Sequence, residues 1–539
     1  MFFNIAPSAL ILLIIALCCG AQATENAPHN SAYGDAFVIG VIGEPSVLIP
    51  MLATDSASHD IASLIYSGLI KYDTDLRIIG DLAESWDISP DGLTIIFHLR
   101  KDVVWEDGTP FTADDVLYGF KTITDPSTPT AYAEEYKQVQ SAEVLDAHTF
   151  RVTYRQPYAP ALTSWGNMTV LPRHLLEGSS IQKSPLVRKA VGTGPFRLKE
   201  WVPGEKLTLV ASPSYFDGRP YLDAYICRFI PDPATQFLEL QAGTIDCMSL
   251  TPLQYSRQTN SSYFLQHFQK FTYPTFSYTY LAFNFLHPWF QDKRVRQAIA
   301  HAINRREIVD GVLLGLGEVA TSPYVPHTWP YNPNVPEYVY DPQRAIQLLD
   351  EAGWHLRDND GVRIRDGKRF EFTILTNMGN TLRLNTATII QWRLAQVGIK
   401  VNIRVIEWST LINEFIDKKR FEALLLGWSI GVDPDQYDIW HSSKTGTKEL
   451  NFISYANTDV DRLLEAGRRT FDMAERKRIY GEFQKIIAED VPYIFLYVPY
   501  ALPIVHRRFQ NIQPAPIGIT YNIHRWYVPR EMQRYRLIP

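Results

Sequence analysis

Along this chain the spacing of apolar residues switches repeatedly between two periods. Leu93–Leu99 alternates, with Ile95, Phe97 and Leu99 on one face, and Phe150–Tyr154 does the same. Such alternation predicts strands with one buried face. Phe37–Val41, Tyr278–Phe285, Phe421–Gly427 and Tyr493–Val498 are short apolar runs that predict buried strands, and Ile399–Ile406 alternates through Ile399, Val401, Ile403 and Val405. Between them the spacing becomes helical. Val295, Ala298, Ile299 and Ala302 share one face after Asp292, as do Ala345, Leu348, Leu349 and Ala352 after Asp341-Pro342. Leu382–Val397 reads as a helix stopped by Gly398, Leu411–Ile416 as a further amphipathic helix, and 459–488 as two helices.

The boundaries carry their own signals. Asp-Pro at 232–233 and 341–342 supplies an N-cap followed by proline at the first helical position, and Gly243 and Gly353 terminate those helices. Asn304 and Glu307 have capping-box spacing, and Thr112 caps a helix whose first turn holds Asp114 and Asp115. Strands alternating with helices predict an α/β fold.

A length of 539 residues exceeds one ordinary domain, so two or three lobes are expected. The net charge of −6 is dispersed, with no basic stripe to neutralise phosphates, which excludes nucleic acid as a partner. Residues 1–23 hold an apolar run, Ile5–Leu17, then Ala21-Gln22-Ala23. That pattern predicts a cleaved signal peptide and a periplasmic or extracellular-facing protein. Lipid anchoring at Cys19 is the less favoured alternative, because Ala16-Leu17-Cys18 is a poor lipidation box. Cys227 and Cys247 remain after cleavage, either bridged or as two buried thiols. The 13 histidines are scattered without metal-ligand spacing, so no metal and no cofactor is expected.

One stretch resembles a catalytic motif. Gly427-Trp428-Ser429-Ile430-Gly431 matches G-x-S-x-G after an apolar strand. A nucleophile elbow needs a helix beginning at the serine, and Pro434 disfavours one there. A serine hydrolase using Ser429 is therefore the minor alternative, and a non-enzyme is expected. Gly192-Thr193-Gly194-Pro195 lacks the Lys-Ser/Thr of a phosphate loop and reads as a tight turn.

Longer blocks carry a family resemblance. They are Leu82-Ala83-Glu84-Ser85-Trp86, Ser89-Pro90-Asp91-Gly92, and 105–116 from Trp105-Glu106-Asp107-Gly108 to Asp114-Asp115-Val116. Val191–Phe196, Tyr215–Asp223, Gly243–Asp246, Arg294–Ile299, Leu348–Trp354 and Asp433-Pro434-Asp435 follow in order. Over residues 37–510 the chain resembles the extracellular solute-binding proteins of family 5, the dipeptide-, oligopeptide- and nickel-binding group that serves ABC importers.

The resemblance implies a periplasmic-binding-protein type II-like fold, two hinged α/β lobes plus an inserted third. Lobe one is expected at 24–58, 190–277 and 499–539, the inserted lobe at 59–189, and lobe two at 278–498. It further implies a monomer that captures a peptide between its lobes and delivers it to the permease subunits of an ABC importer. A sugar oligomer or metal chelate is the alternative solute. In many peptide binders of the family an Asp shortly after the Gly-Trp strand end holds the ligand's amino terminus. Here Ser429, Ile430 and Gly431 occupy that stretch. The expected ligand contacts are Trp428 by stacking, Ser429, Ile430 and Gly431 through their backbones, Arg383 on a carboxylate, and Asn377 and Asn380 on amides. Tyr278 and Asn284 are expected beside the hinge, and Glu44, Pro45 and Ser46 where the cleft begins.

Overall fold

The computed structural model describes residues 33–535 apart from Thr54, Ala131 and Lys448, together with all side chains in that range except those three and Ser409. The expected signal peptide over 1–23 and the cysteines Cys18 and Cys19 lie outside the described residues. Among the described residues no helix is long and apolar enough to cross a membrane.

Three sheets organise the chain. The first orders its strands Phe268–Lys270, Pro503–His506, Cys247–Ser249, Ala36–Val41, Ala224–Phe229, Lys206–Ala211 and Phe196–Val202. The second runs Tyr273–Pro274, Tyr493–Ala501, Ser277–Phe283, Ala423–Ser429, Glu371–Asn377 and Lys400–Ile406, with Gly317–Val319 also paired to Tyr493–Ala501. A smaller antiparallel sheet joins Ala83–Ile88, Thr94–Leu99, Thr149–Tyr154 and Val139–Asp146. Its first hairpin turns at Asp91-Gly92, where Gly92 has φ +69° and the Asp91 carboxylate accepts the Leu93 N–H at 3.0 Å. The positive φ is the reason for glycine there.

The helices begin where their capping residues predict. The Asp341 side chain accepts the N–H groups of Gln343 and Arg344, and helix Pro342–Glu351 buries Ala345, Leu348 and Leu349. Thr112 and Asp115 form a reciprocal capping box at helix Ala113–Thr124. The segment Leu411–Ile416 is wound more loosely than expected, as a π-helix. The edge position of Lys400–Ile406 explains why its alternation does not persist: Val401 is buried, Ile403 half-buried, and Val405 exposed. Gly192 and Gly194 meet a different demand from a turn. A Cβ on Gly192 would lie 1.8 Å from the Ile65 carbonyl oxygen, and one on Gly194 2.7 Å from it. These glycines let two backbones touch.

The cores follow the sheets. One apolar cluster runs from Phe37 and Trp526 beneath the first sheet through Ile65 to Phe97 and Trp165 beneath the small sheet. A second cluster, with Val38, Leu240 and Phe264, covers the other face of the first sheet. The second sheet has a cluster on each face, one around Leu281, Trp354 and Ile390, the other around Tyr280, Trp440 and Tyr480.

Two adjacent segments connect the large sheets. The chain leaves the first sheet after Lys270 and enters the second at Tyr273, then returns from Ala501 to Pro503. The crossings pair with each other, Tyr273 opposite Ala501 and Pro274 opposite Tyr500. Past the second crossing, the Arg508 guanidinium lies between Asp35 and Asp246, all three almost fully buried.

The strand order decides between the two readings of the cysteines, against the bridge. Cys227 and Cys247 lie on strands either side of Ala36–Val41, both in register with Ile39. Two strand spacings separate them by roughly 10 Å, beyond disulfide reach. Both thiols are free and buried, and burial is the main force pushing each well above its ordinary range.

Candidate functional site

In the second sheet, Glu371–Asn377 runs parallel to both Lys400–Ile406 and Ala423–Ser429. Three strands therefore end on the same side, which is where ligands sit in sheets of this kind. Ser429 pairs with Ser277, the residue that follows the first crossing, and Asn377 pairs with Ile406. The strand ends form a staggered row: with Leu375 opposite Leu424, Asn377 lies level with Leu426, and Ser429 projects three residues, roughly 10 Å, beyond it.

Arg383 is the ionic feature of this row. Its helix, Thr381–Gln396, begins at Asn380, whose side chain accepts the Arg383 N–H at 3.0 Å. The guanidinium folds back over the strand ends and donates to the Asn377 Oδ1 at 2.8 Å. A Cβ on Gly427 would lie 2.8 Å from its Nη2, so glycine makes room for the arginine. No carboxylate among the described residues pairs with Arg383. Burial lowers its pKa, and only the hydroxyls of Tyr497 and Tyr280 oppose that. A guanidinium that has lost water without gaining an acid favours an anionic group from outside.

The other expected site residues divide. Ser429 and Gly431 are exposed at the strand end, and Ile430 is half-buried with its N–H donated to the Phe276 carbonyl at 2.8 Å. Asn377 is half-buried beside Arg383, whereas the Asn380 side chain is used by its capping bond. The Trp428 ring packs in the core layer, stacked on Phe452 at 5.7 Å, with its indole N–H 3.3 Å from the Tyr493 hydroxyl. Tyr278 does adjoin the crossing, but its ring is buried against Phe495 and its hydroxyl has no partner. Asn284 lies at the far end of strand Ser277–Phe283, not at the hinge. Its side chain ties the loop carbonyls of Lys419 and Phe421 at 3.1 and 2.7 Å. Ser46 bonds Asp55 and Ser58, and Glu44 accepts from Trp201 and Gly204, so both brace their own loops.

The elbow reading of Ser429 finds no support in geometry. The next helix begins only at Tyr437, and Ser429 makes no hydrogen bond to a histidine or carboxylate among the described residues. The Asp433-Pro434-Asp435 segment is held down: Asp433 pairs with Arg476 at 3.1 Å and Asp435 with Arg468 at 2.7 Å. Neither aspartate is free to replace an anchoring acid at the strand end.

A model of the bacterial extracellular solute-binding proteins, family 5, middle region, matches residues 77–449. The chain belongs to this family. The oligopeptide-binding protein AppA of Bacillus subtilis is 34% identical over 540 residues, covering 97% of this chain and 98% of its own. The structure of that AppA in complex with a nonapeptide superposes with a TM-score of 0.86 at 33% identity, over 92% of this chain and 99% of the other. NikZ from Campylobacter jejuni, solved in complex with Ni(L-His), gives a TM-score of 0.85 at 28% identity over 92% and 99%. The type II-like α/β fold expected of a family 5 solute-binding protein is thus the fold of this chain.

One feature of this family 5 protein had no local signal in its sequence. Away from the crossings, segments beside the small sheet touch the helices and loops that cover the second sheet. Lys444 Nζ lies 2.5 Å from Glu134 Oε2, and the Ala159 N–H donates to the Arg468 carbonyl at 2.7 Å. The Phe471 ring rests on the Gly92 turn, where a Cβ would lie 2.7 Å from it.

Proposed function

We propose that this protein is the solute-binding component of an ABC importer and captures oligopeptides between its two large sheets. Arg383 carries the reading: an acid-free, largely desolvated guanidinium at the converging strand ends suits a peptide carboxylate. Ser429 and Gly431 expose backbone beside it, and main-chain hydrogen bonds hold any peptide irrespective of side chains. The likeness to AppA, solved with a nonapeptide, supports a ligand of several residues. No acid stands where many relatives fix an amino terminus, so the carboxylate end is the better anchored one.

In this reading lobe one comprises 24–58, 190–277 and 499–539, the inserted lobe 59–189, and lobe two 278–498. The protein acts as a monomer, faces outward after removal of residues 1–23, and presents its ligand to the permease without catalysis. Protein sequencing of the exported form checks the cleavage after Ala23.

The deciding experiment strips bound solute by gentle denaturation and follows the melting temperature with peptides of two to nine residues. A ligand of the native state raises it once its concentration passes the dissociation constant. Shifts that grow with peptide length, and shrink when the carboxylate is amidated, are expected. A shift with Ni(L-His) or a sugar oligomer and none with any peptide overturns the assignment. Arg383→Gln is expected to remove the difference between free and amidated peptides.

A further inference from the structure

Among the described residues, the buried members of each apolar cluster lie on one side of the crossings or the other, and only Leu316 and Tyr500, beside the crossings, pack from the second sheet onto the first. No shared core welds the small sheet to the second sheet. What joins them is sparse and mostly polar, with the half-exposed Phe471 ring on the Gly92 turn as its apolar member, which is the character of a contact made to separate. Yet its members are not loose surface groups. The Lys444 side chain is only 10% exposed and that of Glu134 14%.

The ionic arrangement is asymmetric. Within its own lobe, the Lys444 ammonium also lies 3.7 Å from Asp438 and 3.7 Å from Glu449. Arg468, whose carbonyl receives the Ala159 N–H, keeps its guanidinium on Asp435 and 3.9 Å from the Tyr437 ring centroid. On the other side, Glu134 is also held by Lys137 at 2.6 Å. Separation therefore leaves each ion with a partner of its own lobe. That avoids the large penalty of stranding a buried charge. The contact can break and re-form while both halves stay folded.

Resting on the interlobe capture of ligand proposed above, we propose that Lys444 and Glu134 form a latch. Acting with the Ala159–Arg468 backbone bond, they hold the lobes together away from the hinge and set how long a captured solute stays. They are positioning residues: they act on the closed arrangement and make no contact with the ligand. Solute leaves only when the lobes part, so the latch governs the dissociation rate; the ligand-free protein visits the same joined arrangement, and the latch sets its share there too.

Two measurements test this. The first needs no ligand. Hydrogen exchange at the Ala159 amide reports the interlobe bond, because that N–H has its acceptor across the contact. Lys444→Ala and Glu134→Gln are each expected to speed exchange there while leaving the strands of both large sheets protected. The second uses a fluorescently labelled nonapeptide in stopped flow. Each variant is expected to raise the dissociation rate about tenfold without slowing association, and Lys444→Arg to restore the slow rate. Unchanged exchange at Ala159 in both variants overturns the latch whatever the ligand. Nonapeptide binding with unaltered dissociation also overturns it. Failure of the wild-type protein to bind the nonapeptide, with exchange at Ala159 behaving as expected, sinks the peptide assignment and leaves the latch standing.

Discussion

The small sheet meets its two neighbours in opposite ways, and two glycines show the contrast. Gly192 sits where the first sheet joins helix Ser56–Ile65, its Cα pressed against a backbone carbonyl within a continuous apolar core. Gly92 sits where the small sheet meets the second sheet, pressed against the tip of one side chain, Phe471, which is 44% exposed. The first neighbour cannot move without unfolding. On the latch proposed above, the second leaves as a rigid body. Close packing alone therefore does not distinguish a permanent joint from a temporary one. What distinguishes them is whether backbone or a movable ring stands opposite, and whether apolar surface runs across the join.

The contrast can be broken first on its permanent side. Trp165 is fully buried in the cluster that the two sheets share, and its indole N–H donates to the Tyr154 hydroxyl at 2.8 Å. Trp165→Ala is expected to cost about 3–5 kcal/mol, read as a lowered denaturation midpoint in urea. Gly192→Ala is expected to cost about 1–3 kcal/mol through overpacking, towards the upper end because backbone lies opposite, and the same titration measures it. Gly92→Ala stands against these. Its left-handed φ costs about 1–2 kcal/mol, but the added methyl meets only a ring that retreats as the lobes part. The expected result is a modest loss of stability together with an expanded particle in solution scattering. A stability loss equal to that of Gly192→Ala, with no expansion, would show both joints to be permanent.

The smallest effect expected is on pH. Burial at the separable joint raises Glu135 to about 7, with Asp438 and Asp435 adding to the rise, and raises Asp438 to about 6, with Arg468 and Lys444 opposing. Parting the lobes returns water and lets both carboxyls fall back toward ordinary values. The joined form then holds more protons, so joining is favoured at low pH and weakens as pH rises through 6 to 7. For Glu134, burial acts upward, but the bonds from Lys137 and Lys444 prevail and hold it below its ordinary value. Its pair with Lys444 therefore survives until the solution is more acid still. Dissociation of the labelled nonapeptide is expected to be a few-fold slower at pH 5.5 than at pH 8. Faster release at pH 5.5 contradicts this account.

Local chemistry was legible in the sequence and distant pairing was not. Asp341-Pro342 and Thr112 specify their helix starts within a few residues, and both helices begin there. The same locality explains the shortfalls. Cys227 and Cys247 flank a helix in sequence, but a strand from the far N-terminal side, Ala36–Val41, comes between them. Asn284 was read against the start of its strand and lies past the end. Asn380 has the composition of a ligand contact and the position of an N-cap, and the cap takes its side chain. Arg383 was legible as a cation at a helix start. That Gly427 clears space for it emerges only once the two strands lie side by side. Glu134 and Lys444, 310 residues apart, carry no local pattern at all.

The double crossing between the sheets also fixes an order of assembly. Strand Pro503–His506 fills the place between Phe268–Lys270 and Cys247–Ser249, and Arg508 reaches back 473 residues to Asp35. Until those last residues arrive, the first sheet has a gap and two carboxylates lack their cation. The second sheet's strands all lie between Tyr273 and Ala501, and their pairing needs no strand beyond them. A chain emerging from its N-terminus can therefore complete its second half before its first. On the export proposed above, a precursor whose first sheet still lacks Pro503–His506 stays open and able to be threaded.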